Sequence, residues 1–341
     1  MDPVAPAAVN LVELTRSLVD IDSTTGCEES VGEWLVSYLK TLGFTVVCQD
    51  VDGRRFNVFA SVSVSPVVVF STHFDCVPPF FPSRLEGARL YGRGTCDAKG
   101  ILAAQVAAAV ELWRGGEQRI GLLFVVGEER GSDGAKVAGA SAHVAGSRFL
   151  VDGEPTDNRL GLATRGILRL KLKASGRAAH SSYPELGESA IDTLLDALVA
   201  LRQIELPSDP VLGQTHYSIG LISGGVAPNV VSPSAEAEVM FRTVSGSDEI
   251  RRAIEALEKT VAIEHVLEVP PVRMIAVPEF DTAVFPYTTD IPFLAAWGKP
   301  LLYGPGSIHV AHTAEEFIDV DEQRAAVDGY VRIARALLAL P

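Results

Sequence analysis

The sequence predicts an α/β protein: a domain built round a mostly parallel sheet, interrupted by a smaller α+β open-faced sandwich. Three observations carry this reading. Up to about residue 164, short continuous apolar runs such as PVVVFSTHFD and IGLLFVVGEE alternate with helical patterns, as strands buried on both faces do. From residue 165, GILRLKLKASG, HYSIGLISGG and AEAEVMFRTV alternate apolar with polar, so one face of their sheet is wet. After about 273 the chain returns to Pro- and Gly-rich loops, short apolar runs and a last helix. The expected domains are therefore 1–164 plus 273–341, with 165–272 inserted.

Residues 9–20 and 29–42 place apolar side chains at helical spacing, and Gly43 follows the second as a stop. FTVVCQDVDGRRFNVFASV alternates round a DG turn and reads as a hairpin. PVVVFSTHFD reads as a buried strand, residues 97–114 as an Ala-rich helix after a Gly-rich turn, and IGLLFVVGEE and FLVDGEPT as further buried strands. Within the insert, GILRLKLKASG, a helix over 188–204, two alternating strands, a helix over 248–261 and IEHVLEV give the order β-α-β-β-α-β. EQRAAVDGYVRIARALLAL closes the chain as a helix.

Composition narrows the function classes. The chain has 341 residues, 47% hydrophobic and 21% charged, ordinary for a folded protein with a large core. A net charge of −14 argues against nucleic acid or an anionic membrane as partner. No apolar run reaches the roughly 18 residues of a membrane span. MDPVAPAAVNLVELTRSLVD lacks a basic start followed by an apolar core, so it does not read as a secretory signal. Cys27, Cys48, Cys76 and Cys96 show no CxxC spacing and read as reduced thiols, which favours a cytoplasmic location.

Five segments offer metal-type ligands. In Ser71-Thr72-His73-Phe74-Asp75, residues two apart on a strand share a face, so Asp75 can orient His73 and raise its basicity. Asp97 in GRGTCDAKG sits where a Gly-rich turn enters a helix. Glu128 and Glu129 follow IGLLFVV, where one can bind metal while the other acts as a general base. DGEPT ends a strand with Asp152 and Glu154, and GPGSIHVAH carries His309 and His312. Each segment alone also allows a plainer reading: a satisfied histidine, a helix cap or a surface turn. Together they supply nitrogen and oxygen donors suited to zinc with open coordination positions.

The order of these motifs, from about residue 10 to the C-terminus, resembles the co-catalytic zinc amidohydrolase and peptidase family of acetylornithine deacetylase, succinyl-diaminopimelate desuccinylase, aminoacylase and glutamate carboxypeptidase. The resemblance implies two zinc ions, with cobalt or manganese as substitutes. It implies His73 and Glu154 as ligands of one metal, His312 and Glu129 as ligands of the other, and Asp97 as the bridge between them. Asp75 becomes the partner that orients His73, and Glu128 the base that activates a zinc-bridging water. The insert is similar to the family's lid and dimerisation domain, so a homodimer is expected through it. Within it, GRAAHSSYPELGESAI implies His180 as the oxyanion-stabilising lid histidine, and Asn229 and Arg242 as substrate contacts. Glu154 in DGEPT and the GPGSI–AH segment look most like acetylornithine deacetylase, so the expected substrate is a small N-acyl amino acid; a short peptide, cut by a dipeptidase or carboxypeptidase, is the alternative. A binding paralogue without catalysis is a further alternative, though no ligand and no base is missing. Tyr287-Thr288-Thr289-Asp290 departs from the Gly-rich turn that relatives carry. Cys96 has no assigned role, His309 reads as lying outside the ligand set, and His143, His216 and His265 have no partner motif.

Overall fold

In a computed structural model of the chain, residues 6–140 and 146–341 are described; His143 lies outside them. The apolar runs become the strands Val68–His73, Ile120–Val125 and Phe149–Asp152, every residue of which is buried. They pair in parallel with Val68–His73 in the middle. The antiparallel hairpin Thr45–Asp50 and Phe56–Ser61 extends one side, and Lys299–Leu302 adds in parallel on the other, giving six strands. Four of the six are thus parallel, as the continuous apolar runs require.

The helix Lys99–Arg114 is buried almost all round, as an Ala-rich helix with little polar surface must be. It packs against the helices Leu11–Val19 and Val320–Leu338. The helix Glu29–Thr41 ends as its sequence predicts. Gly43 takes φ +92°, its N–H donates to Lys40 O at 3.0 Å, and Phe44 N–H donates to Leu39 O at 3.2 Å. This left-handed C-terminal cap is where glycine costs least.

The chain divides into two compact units: Met1–Leu162, Arg273–Ala283 and Thr289–Pro341 form one, and Ala163–Val272 with Val284–Thr288 the other. In the second unit, His216–Gly224, Ser234–Thr243, Gly166–Ser175 and Ala262–Val269 form an antiparallel sheet in that spatial order. The helices Ala190–Leu201 and Ser247–Ile254 supply its cover, and Leu168, Leu170, Leu194, Val239, Phe241 and Ile250 lie in its core. The expected helix over 248–261 is shorter: it is α-helical to Ile254 and continues as a 3-10 turn over Glu255–Lys259. Among the described residues, no helix is long and apolar enough to cross a membrane.

Candidate metal centre

Parallel strands deliver their carboxyl ends to one edge of a sheet, and the loops beyond that edge are where ligands bind. Here Val68–His73 ends in His73, Ile120–Val125 leads to Glu128 and Glu129, and Phe149–Asp152 leads to Glu154. Gly127 (φ +75°) and Ser132 (φ +58°) bracket the single helical turn Glu128–Gly131. Thr72 Oγ1 donates to Gly153 O at 2.7 Å, and Gly153 N–H donates to Ser71 O at 2.7 Å. These bonds tie the end of the DGEPT strand to the His73 strand.

Asp97 is not the cap of the helix it precedes. Ala98 holds that position, and no side chain caps it. The Asp97 carboxylate instead divides its oxygens between two imidazoles: Oδ1 is 3.0 Å from His73 Nε2 and Oδ2 is 3.2 Å from His312 Nε2. His312 Nε2 also lies 2.9 Å from Glu129 Oε1. The ligand atoms of His73, Asp97 and Glu129 all fall within 4.8 Å of one another. His312 adopts φ +62°, a conformation a non-glycine residue holds only when its surroundings fix it.

Asp75 is fully buried behind His73. His73 Nδ1 faces Asp75 O at 3.0 Å and Asp75 Oδ1 at 3.4 Å. The Asp75 carboxylate accepts from Thr25 Oγ1 at 2.8 Å, Glu128 N–H at 3.0 Å and Glu129 N–H at 3.3 Å. One carboxylate therefore orients the histidine and also holds the backbone of the two glutamates.

The electrostatics are those of a site built for cations. Burial pushes Glu128 and Glu154 well above the usual carboxylate range; Glu128 also feels Asp290, Glu129 and Asp97, and Glu154 also feels Glu128 and Asp97. Burial likewise raises Glu129 and Asp152, and raises Asp290 to about 6. Burial also opposes ionisation of Asp97, but its hydrogen bonds with His312 and His73 win and hold it far below the usual range. Burial would lower His73, yet its bonds to Asp75 and Asp97 hold its pKa well above the ordinary value. His312 is raised to about 10 by Asp97 and Glu129. Among the described residues no Lys or Arg pairs with Asp97, Glu128, Glu129, Asp152, Glu154 or Asp290; Asp97 pairs with His73 and His312, and Glu129 with His312. Oδ2 of Asp152 and both oxygens of Asp290 are buried without a hydrogen bond of ordinary geometry. So much uncompensated carboxylate away from water is costly. Bound divalent cations would relieve it, and the mixed N/O donors suit them.

The Glu128 carboxylate makes no hydrogen bond and no ion pair among the described residues. Asp290 is a buried acid in this region that motif reading left without a role. His309 is exposed. Cys96 is buried, and burial pushes its thiol well up. In the second unit, His180 and Asn229 lie on adjoining segments: Ser181 N–H donates to Asn229 O at 2.9 Å, and His180 bridges Val230. His180 is exposed, its Nδ1 accepting from Ser182 N–H at 3.1 Å. Arg242 stands on the strand Ser234–Thr243 opposite His216 and Ile167. Its guanidinium makes no ion pair among the described residues, and burial lowers its pKa. His216 accepts from Arg165 Nη1 at 2.6 Å, and His265 is exposed.

A profile described as peptidase family M20/M25/M40 matches residues 69–336. A peptidase M20 domain-containing protein of Schizosaccharomyces pombe is 39% identical over 340 residues, covering 96% of this chain and 85% of that one. A probable carboxypeptidase of Aspergillus terreus is 40% identical over 371 residues, covering 95% and 85%. Among solved structures, a tripeptidase from Staphylococcus aureus superposes with a TM-score of 0.81 at 19% identity, over 99% of this chain and 100% of that one. A dinuclear metal-binding peptidase from Bacillus subtilis superposes with a TM-score of 0.71 at 15% identity, over 97% of each chain.

Proposed function

The chain belongs to peptidase family M20/M25/M40, and from that premise we propose that it is a two-metal carboxypeptidase cutting the amide bond beside a free carboxylate in short peptides. It is a hydrolase of amide bonds. One observation carries the site assignment: a half-buried Glu128 carboxylate without an ion pair adjoins a cluster in which the His73, Asp97 and Glu129 ligand atoms lie within 4.8 Å.

In this reading His73 and Glu154 would hold one metal, Glu129 and His312 the other, with Asp97 available to both. Zinc is the first choice for such donors, with cobalt and manganese as substitutes. When bound, the ions would polarise the substrate carbonyl and make the attacking water more acidic. Asp75 keeps the His73 ring aimed while the Glu128 and Glu129 backbone rests on its carboxylate. Glu128, free of other partners, takes the proton of the attacking water and delivers it to the leaving amine. His180 donates to the oxyanion. Arg242, whose guanidinium has no ion-pair partner in its unit, receives the substrate carboxylate together with Asn229.

A deacylase acting on N-acyl amino acids performs the same reaction with a small acyl group in place of a peptidyl one. Glu154 in DGEPT and the GPGSI–AH segment favour it, whereas the naming of relatives as probable carboxypeptidases favours the peptide. Kinetics on blocked dipeptides beside N-acetyl and N-succinyl amino acids separate the two. Glu128→Gln is expected to keep its metal and lose nearly all turnover; near-normal activity in that variant refutes the role of Glu128.

A homodimer through the second unit fits an exposed apolar stripe. Ile191, Leu195 and Val199 recur at helical spacing, and Leu221 and Ile222 lie exposed on an edge strand of the same unit. Large exposed apolar patches mark interfaces. The four free thiols fit a reducing, cytoplasmic setting.

A further inference from the structure

Glu316 is a fully buried acid outside every ligand motif. It is 0% exposed and lies four residues after His312. Its Oε1 accepts from three backbone N–H groups of a single turn: Gly94 at 2.9 Å, Cys96 at 3.1 Å and Asp97 at 3.1 Å. Its Oε2 accepts from Arg93 Nη1 at 2.5 Å. Its main-chain oxygen accepts from Gly92 N–H at 3.1 Å. Arg93 is itself 2% exposed, with Nε directed at Pro79 O at 3.3 Å and its guanidinium 5.0 Å from the centre of the Phe81 ring.

An ion pair with Arg93 would occupy one carboxylate oxygen. The other spends its lone pairs on the turn that carries Asp97, while Glu316 itself belongs to the segment that carries His312. Among the described residues no other side chain accepts from these three N–H groups, and the helix that follows lacks a side-chain cap. We propose that Glu316 is a positioning residue of the metal centre. It is a buried carboxylate that clamps the Asp97 turn to the His312 segment, so that the two Asp97 oxygens stay aimed at His73 and His312. The inference rests on Asp97 being the ligand shared by both metals.

Glu316→Gln preserves shape but cannot satisfy both sides. With its oxygen on the three amides, its NH2 faces the Arg93 donor; flipped, its NH2 faces the amides. Glu316→Asp keeps the charge and withdraws it by one methylene. The test uses the full chain, made metal-free and titrated with Co(II), followed by its visible absorption and by chelator competition, with circular dichroism to check the fold. Both variants are expected to fold, to bind Co(II) about 10–100-fold more weakly than the wild type and to show altered ligand-field bands. In the zinc-loaded enzyme, kcat should fall more than KM rises, because a misaimed shared ligand harms the reaction more than substrate capture. Recovery should be greater in Glu316→Asp than in Glu316→Gln. A folded Glu316→Gln with wild-type Co(II) affinity and spectrum overturns the proposal. Failure of both variants to fold also overturns it, since Glu316 would then be a folding determinant. A wild-type chain that takes up no Co(II) refutes the metal reading itself, so the two failures are distinguishable.

Discussion

Replacing Asp75 by Asn removes one charge with almost no change in volume. Both Asp75 oxygens accept from a backbone N–H: Oδ1 from Glu128 at 3.0 Å and Oδ2 from Glu129 at 3.3 Å. Whichever way the new amide lies, its NH2 therefore faces a donor, and one buried N–H is orphaned at a cost of about 1–3 kcal/mol. Two features moderate the loss. His73 Nδ1 keeps the Asp75 main-chain oxygen at 3.0 Å, so the ring retains one orienting bond. The variant also relieves the repulsion that Asp75 exerts on Glu28 and Asp290. Losing the carboxylate behind a metal-binding histidine weakens metal affinity by about 10–100-fold. With the main-chain bond kept, the lower end applies: about tenfold, or about 1.4 kcal/mol. Chelator competition with zinc measures this, and urea denaturation of the metal-free protein measures the orphaned donor. Unchanged affinity together with an unchanged urea midpoint refutes the reasoning. A loss beyond about a thousandfold would mean that Asp75 does more than orient His73.

Three further predictions follow from the same geometry. In metal-free protein, His312 is raised to about 10 from roughly 6.5, so its stabilisation is complete below about 6.5 and is lost as pH rises through 10; Asp290, raised to about 6, favours folding below about 4 and loses that advantage as pH rises through 6. Both slopes have one sign, so the Tm of the chelated protein should fall between about pH 5 and 10, while added metal, which binds deprotonated ligands, flattens the fall; a chelated Tm that climbs across this window contradicts the assignment. Gly153→Ala places a methyl 2.5 Å from both Gln105 Nε2 and Ile101 Cγ2, so overpacking should cost about 1–3 kcal/mol in urea denaturation and weaken metal binding through the adjoining Glu154. Leu195→Asp, at a side chain 47% exposed in the stripe of the second unit, should turn a dimer into a monomer by light scattering with its circular dichroism unchanged; a wild type that is already monomeric removes the dimer.

The elements legible in the sequence are those whose burial writes a pattern. VVVF and IGLLFVV carry no polar side chain because both faces of their strands are covered. Lys299–Leu302 left no such mark: it is four residues long and contains Pro300, which an edge strand tolerates and which sequence reading counts against a strand. The candidate site divides the same way. His73, Asp97, Glu129 and His312 stand in short motifs and meet in space. Glu316 has no motif, because its partners are main-chain amides 219 to 222 residues away, and amides have no sequence identity. Asp290 stood in a segment whose departure from the family pattern hid it, and only its burial draws notice. The helix-cap reading of Asp97 failed because a cap must lie next to the first helical turn, and Ala98 intervenes.

Anomalous diffraction from a crystal of the zinc-loaded protein tests the central claim most directly. Two peaks are predicted, both within ligand distance of Asp97, one joined by His73 and Glu154 and the other by Glu129 and His312, with the Glu128 carboxylate bound to neither. A single peak, a peak coordinated by Glu128, or peaks away from Asp97 would contradict it.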